Sequence, residues 1–549
     1  MRSGLLREIG KTTRQMAFGH PLYNWTLQNW ALGGGVPEKF IVIPADPWPG
    51  NPECGRKLCG GVFTLHGEQL EFCGDRWEPE GVGAAWLSHL HGFSWLRDLR
   101  AVGGETARQM ARSLISSWIR LYSAWNPLTW RPEIAGARLA HWIAFYDFFG
   151  ASADDDFQRD FFAALIRQAR HLSRTLPDDA AGLPLLQALR GLSFAGLALK
   201  GREAWLEQAL NLLEQETAIQ ILSDGGHVSR SPAQLLESLK IFIDIRSGLL
   251  SAKYPVPEQM THTIDRMAQA LRFFRYADKG LAVFNGAHEG DAALIDTALT
   301  YADAGGRTLR NLPHTGYERL SAGRTLVMVD TGTPPTSPHD GQAHAAPLAF
   351  EMTYGRERVF VSCGTHLLDS SWQNILRSTA AHSTLGVDDR NACEIRADGH
   401  FGRRSRKISV SREEKNGAVL IEAAHDGYAA LNGIMHRRRL YLAQGGHDLR
   451  GEETLTCSVG LSRPVDVCLR FHLHPGVQVS LIQDGREALL RLPGGAGWRF
   501  FHVGGLLSLE DSLYLGQCGQ PRKTKQLVIS GVMECDVAVL KWALQREAR

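Results

Sequence analysis

The hydrophobic period of this chain changes near residue 315, and that change limits what it can fold into. From about residue 105 the apolar residues recur every three or four positions. "TARQMARSLISSWIRLYSAW", "PEIAGARLAHWIAFYDFF", "DFQRDFFAALIRQARHLSRTL", "PLLQALRGLSFAGLALKG", "AWLEQALNLLEQETAIQI" and "PAQLLESLKIFIDIRSGLL" each carry one apolar stripe, the mark of an amphipathic helix. Connectors as short as "LPDDAAG" and "KGRE" force successive helices into antiparallel hairpins. Beyond residue 315 the segments "GYERLSAGRTLVMVDTG", "LAFEMTYG", "RVFVSCG", "GAVLIEAAHDGY", "HRRRLYLA", "DVCLRFHLHPGVQVSLI" and "QLVISGVM" alternate or are short and β-branched. Many short strands without intervening helices imply an antiparallel sandwich. At 549 residues the chain exceeds one ordinary core. The expected division is an irregular, partly hairpin extension over 1–80 packed on the helices, a helical domain over 81–312 and a β-sandwich over 313–549, an α+β multidomain chain.

A net charge of +2 lends no support to a nucleic-acid or membrane role. The basic residues are scattered except in "HRRRLYL" (residues 436–442), whose alternation reads as an exposed strand face. Nine cysteines, an odd number without repeated CxxC spacing, argue against a disulfide scaffold or a zinc ribbon. The first residues, "MRSGLLREIGKTTRQMAFGH", lack the apolar stretch of a signal peptide, and no run approaches a membrane span. The expected compartment is the cytoplasm, or the periplasm if the start codon is misassigned.

Three stretches could carry chemistry. In "SDGGHVSRSPAQLLESL" the Asp224-Gly225-Gly226 turn precedes His227, and Ser231-Pro232 reads as a helix cap and first turn. His227 is thus expected at a loop tip, displayed for chemistry or solvated at a helix entrance. In "LRFFRYADKGLAVFNGAHEGD", Tyr276 falls at a helix end and is either a packing residue or a catalytic one. In the third, His344 precedes the strand "LAFEMTYG", Cys363 ends "RVFVSC", and His382 precedes "STLGVDD". Neighbouring strand ends bearing such ligands could bind a transition metal, or the histidines could brace loops by hydrogen bonds.

These stretches, in this order, resemble the heparinase II/III-like polysaccharide lyases from roughly residue 85 onward, most strongly at 224–234, 316–323 ("GYERLSAG") and 342–385. The resemblance implies an incomplete α/α toroid joined to an antiparallel β-sandwich with a cleft between them, and a reaction of β-elimination on uronic-acid glycans. That chemistry needs a polar group to neutralise the carboxylate beside C5, a base for the C5 proton and an acid for the departing oxygen. By position His227 matches the neutraliser, expected to face the cleft, and Tyr276 is the match to the proton-handling tyrosine. His344 matches the second histidine of the sandwich motif, counted with the catalytic group and also as a metal ligand. Arg377 and Arg275 are candidates for holding carboxylates, with Gln342 beside them. The resemblance requires no cofactor. It offers a structural zinc as an option on His344, Cys363 and His382. The implied partner is an anionic polysaccharide or oligosaccharide, with no nucleic acid and no membrane, and the oligomeric state is open, homodimer included.

The departures are local. Where the family motif reads H-A-H-A-D this chain has Gln342-Ala343-His344-Ala345-Ala346, so a glutamine stands at the usual proton-transfer histidine. The usual aspartate ligand falls at Ser362, and the glutamate and tyrosine usual after the neutraliser are Ser229 and Gln234. Two functions follow: a lyase, in which Tyr276 serves as both base and acid, or a non-catalytic relative that binds an anionic glycan or a protein. A glycoside hydrolase would need paired carboxylates, for which only scattered residues such as Asp224 and Glu289 offer themselves.

Overall fold

The computed structural model describes residues 35–547 apart from 73–74, 304 and 518–520. The first 34 residues of the expected extension therefore lie outside the described residues. By internal packing the chain divides into two compact units. One comprises the described residues up to Gln220 together with Glu237–Ile264, and the other comprises Ile221–Leu236 and everything from Asp265 onward.

The first unit is helical, with one hairpin of strands Val62–Leu65 and Glu68–Glu71. Its main helices are Gly104–Tyr122, Pro132–Ala144, Asp155–Thr175, Leu183–Ala198 and Glu203–Gln220. Asp155–Thr175 begins where the side chain of Asp154 accepts the amide of Phe157, which satisfies one of the unpaired donors of the first turn. Its apolar stripe, including Phe161, Phe162, Leu165 and Leu172, is buried. Phe93, Trp118 and Trp142 meet edge to face with ring centroids 5.3–5.9 Å apart, the arrangement that ring quadrupoles favour. The guanidinium of Arg138 lies 4.0 Å from the centroid of the Trp118 ring and donates to Gln168, the His91 carbonyl and the Thr129 carbonyl. A buried cation is tolerated there because its donors are matched.

The second unit is built on two antiparallel sheets. One has eight strands, in the order Gln478–Ile482, Glu487–Arg491, Gly497–Val503, Val537–Arg546, Asp448–Cys457, Ile434–Leu442, Ala418–Tyr428, Ile408–Lys415. The other has nine and includes Leu506–Tyr514, Arg522–Met533, Val465–Leu473, Glu357–Val361, Phe350–Tyr354, Thr325–Asp330 and Tyr317–Ala322. Apolar residues of both sheets form one core, in which Phe350 stacks on Trp542 at 5.5 Å.

Ile434–Leu442 corrects one expectation. Arg437, Arg439 and Tyr441 do lie on the accessible face, but His436 and Arg438 point inward and are buried. Arg438 bonds both oxygens of Glu453, His436 reaches Glu453 at 2.7 Å, and Trp542 donates to the same carboxylate. Burial opposes ionisation of Glu453, yet Arg438 and His436 hold its pKa down to about 2. Among the described residues no helix is long and apolar enough to cross a membrane.

Candidate functional site

The segment 221–231 folds back on itself: Leu222 N–H donates to Gly226 and Gly225 N–H to Leu222. Gly225 has a φ of +84°, and a Cβ on Gly226 would lie 1.8 Å from Thr315 Oγ1, so both glycines are dictated by the turn and its neighbour. Asp224 accepts the amides of His314 and Thr315, both at 2.8 Å, and the Thr315 hydroxyl. Arg230 donates to the carbonyls of Thr315 and Gly316 and pairs with Asp330. The turn is thus pinned onto the start of the nine-stranded sheet, and Asp224 is an anchor with its oxygens occupied.

That pinning corrects the expected display of His227, which is only 1% exposed. Its Nδ1 accepts the Ser229 amide at 3.1 Å and lies 2.7 Å from the Ser229 hydroxyl. An accepting Nδ1 leaves the proton on Nε2, so the ring is a donor there. Burial, helped by His339 at 6.2 Å between ring centroids, drives its pKa down to about 3.

A second loop meets the first. Asn285 donates through Nδ2 to the Tyr317 hydroxyl and the Arg230 carbonyl, and through its carboxamide oxygen accepts the amide of His344. The amides of Asn285 and Gly286 both point at the His344 ring, at 3.1 and 2.8 Å from Nδ1 and Nε2. A neutral imidazole has one accepting nitrogen, so only one of these can be a hydrogen bond. Burial, then the neighbouring His382 and Arg377, keep His344 well below its ordinary pKa, and hence neutral. Gln342 packs against Gly286, where a Cβ would come within 2.8 Å of its own. His227 on one loop and Gln342 and His344 on another are therefore linked, within one unit, through Arg230 and Asn285.

Tyr276 is buried as well. It is 4% exposed, and its hydroxyl donates to Glu351 Oε2 at 3.0 Å. Glu351 also receives the amides of Val283 and Ser362, and Arg358 lies 4.9 Å from the centroid of the Tyr276 ring. Burial pushes Glu351 up to about 7 against the pull of Arg358, and burial with the Glu351 charge raises Tyr276 well above its usual value. This phenol is held protonated.

The remaining expectations separate. The two candidate carboxylate holders are already occupied. Arg377 is buried and clamps the carbonyls of Ala343, Gly399 and Asp340, while Arg275 donates to the Lys279 carbonyl and Asp296. Of the metal set, the rings of His344 and His382 lie 4.2 Å apart and tilted by 32°, but the Cys363 thiol turns to Leu376, Ala381 and Leu515, 3.5 Å from His472 Nδ1. Burial lifts that thiol to about 12, far from the thiolate a metal needs. Among the described residues no group of three His, Cys, Asp or Glu is placed to hold a metal ion. The residues that build the site but were not singled out are Arg230, Asn285, His339 and Glu351. Only Asn285-Gly286 carried a sequence signal, an Asn-Gly turn in which both residues take positive φ.

Comparison with known proteins places this geometry. The heparinase II/III N-terminal profile matches residues 78–304 and the heparinase II/III-like C-terminal profile residues 304–543. "FtsZ-localized protein C" of Caulobacter vibrioides is 32% identical over 579 aligned positions, spanning 100% of this chain and 97% of that protein. A "Heparin-sulfate lyase" of Bacteroides thetaiotaomicron is 23% identical over 232 residues, 37% of this chain and 31% of that protein. Among solved structures, heparinase III superposes with a TM-score of 0.72 at 16% identity, covering 86% of this chain and 79% of its own. A heparan sulfate lyase mutant from Pedobacter heparinus gives 0.63, also at 16% identity, covering 90% and 83%. At such identity the structures show the fold alone: a toroid of helices followed by an antiparallel β-sandwich.

Proposed function

The chain belongs to the heparinase II/III-like family, and from that premise we propose that it is a catalytically silent member that works as a binding protein in association with FtsZ. The observation that supports the silence is the fate of the proton-handling groups. A β-elimination needs a base at C5. Gln342 stands where the family has a histidine, and the Tyr276 hydroxyl is enclosed and given to Glu351. The neighbouring tyrosines are engaged in the same way: Tyr317 donates to the Arg230 carbonyl and Tyr514 to Glu289. His227 presents a donor rather than a base, and both nitrogens of His344 face backbone amides. The association with FtsZ rests on the full-length relative named for it, whose similarity runs through both units, whereas the similarity to the named lyase spans a third of the chain.

A second reading, residual elimination, draws on one feature. His227 carries its proton on Nε2, as a group that neutralises a carboxylate must. One pair of experiments separates the two. Purified protein is incubated with uronic-acid glycans and followed near 230 nm (roughly where the unsaturated product absorbs, a property of the elimination chemistry), and co-sedimentation with assembled FtsZ is measured in parallel. The expected result is no absorbance rise and saturable recovery with FtsZ. Turnover that falls by about 10²–10⁴-fold in His227→Ala, the scale for a positioned polar group, would replace this reading with the lyase.

A further inference from the structure

The family's zinc option can be tested on the residues themselves, and it points away from Cys363. Cys363 N–H donates to the Ala381 carbonyl at 3.0 Å, and the Ser383 hydroxyl donates to the Val361 carbonyl at 3.0 Å. These two bonds run the segment 361–363 alongside 381–383 and set Ser362 across from His382. Cys363 and Ala381 share one small apolar cluster with Leu376 and Leu515. His382 is extended, with φ −135° and ψ 155°, so alternation puts Ser362 and His382 together on the opposite side. On that side stands His344, its ring 4.2 Å from that of His382.

The polar atoms there are under-satisfied. Ser362 and His382 are both fully buried; among the described residues the Ser362 hydroxyl has no hydrogen-bond partner, and His382 has only the Leu376 backbone, too far for a close bond, to raise its pKa against burial. Native interiors rarely leave a buried hydroxyl unmatched. His344 adds another mismatch, because one of its nitrogens faces an amide it cannot accept. The donors are those of a metal site, two imidazoles and an oxygen, but none is anionic. Structural zinc is held by four ligands, usually with thiolate or carboxylate among them. A bare dication between neutral ligands would be buried without compensating charge, with the Arg377 guanidinium adding to the positive field at His344. The present set does not fit zinc.

We propose that His344, Ser362 and His382 do not hold zinc in this chain, and that the missing anionic ligand at Ser362 is the reason. This inference is independent of whether the protein has a catalytic activity. The test is to purify the protein without chelator or His-tag, incubate it with one equivalent of zinc, desalt it, and measure bound metal and thermal midpoint. The native chain is expected to retain less than about a tenth of an equivalent. Ser362→Asp should retain about one, with a raised midpoint, on the scale of structural zinc affinities. The added His382→Ala change should abolish both effects. Because a new buried carboxylate could itself prevent folding, the near-isosteric Ser362→Cys serves as the second variant, with the same expectation. One equivalent of zinc in the native protein, lost in His382→Ala, would overturn the proposal. Folded Ser362→Asp or Ser362→Cys that takes up no zinc would overturn it equally.

Discussion

At the scale of single residues, the deciding feature is how far apart in sequence the partners lie. Local pattern marked His227 as a turn residue, and the Asp-Gly-Gly turn is there. Its burial, however, comes from Asp224 and Arg230 reaching residues 314–330, some 90 positions away, which no local period reveals. "HRRRLYL" is a parallel case. The alternation was legible, but the inward course of Arg438 depends on Glu453 on the next strand. The partner of the Tyr276 hydroxyl, Glu351, lies 75 positions further along the chain, beyond the reach of local pattern. Glu351 yields a prediction of its own. Its folded pKa, about 7, lies above an ordinary glutamate's 4.5, so the folded state holds its proton more tightly. The stability it contributes is fully present below about pH 4.5 and is lost as pH rises through 7. At 1.36 kcal/mol per unit, that is of order 3 kcal/mol between pH 4.5 and 8. Glu351→Gln, neutral at every pH, should remove this fall. Urea midpoints of native and variant protein at pH 6 and 8 check it, and an identical pH dependence in both would refute the assignment.

At the scale of elements, the helices quoted from the sequence are present, with some C-terminal ends three to five residues short of the expected ones. The expected helix over 132–149 is found as Pro132–Ala144 followed by a turn at Tyr146–Phe149, and that over 184–201 as Leu183–Ala198. The Ser231-Pro232 signal falls at the start of Pro232–Ser251. Periodicity could not say which helices touch most closely. Pro132–Ala144 and Leu183–Ala198 cross backbone to backbone, where a Cβ on Gly191 would lie 2.4 Å from the Gly136 carbonyl oxygen. Two effects oppose each other in Gly191→Ala. Alanine gains about 1 kcal/mol over glycine in a helix interior, but forcing apart a packed backbone contact costs about 1–3 kcal/mol. The clash should win, with a net loss of roughly 1–2 kcal/mol. Gly92→Ala meets only the Ala137 methyl at 3.4 Å, an ordinary contact, and should be close to neutral. Thermal midpoints of the two variants make the comparison, and equal behaviour would mean that the helices part without cost.

At the scale of the whole molecule, the sequence announced two structural regimes, and each is built around histidines that folding keeps neutral. In the helical unit burial lowers His89 to about 4 and His91 and His171 to about 3. In the strand-rich unit it lowers His227 and His382 to about 3 and His472 and His474 to about 4. Unfolded, each would take up a proton near pH 6.5. A histidine whose folded pKa is depressed contributes stability above 6.5 that is lost as pH falls towards the folded value, because only the unfolded chain binds the proton. Raised acids work the other way: Glu351, Asp244 (lifted to about 6 by burial despite Arg190), and Asp98 and Asp330, also raised by burial, favour the folded state as pH falls. The lowered histidines outnumber the raised acids. Stability should therefore fall as pH drops below about 6.5, against a typical folding stability of about 5–15 kcal/mol. Below pH 4.5 the depressed carboxylates of Glu453 and Asp46, both near 2, remove stability further. The expected outcome is cooperative acid unfolding between about pH 6 and 4, followed by far-ultraviolet circular dichroism and by tryptophan fluorescence, with both units affected because both hold such histidines. Native spectra persisting to pH 4 would mean that these rings are solvated or protonated in the folded protein, against their burial.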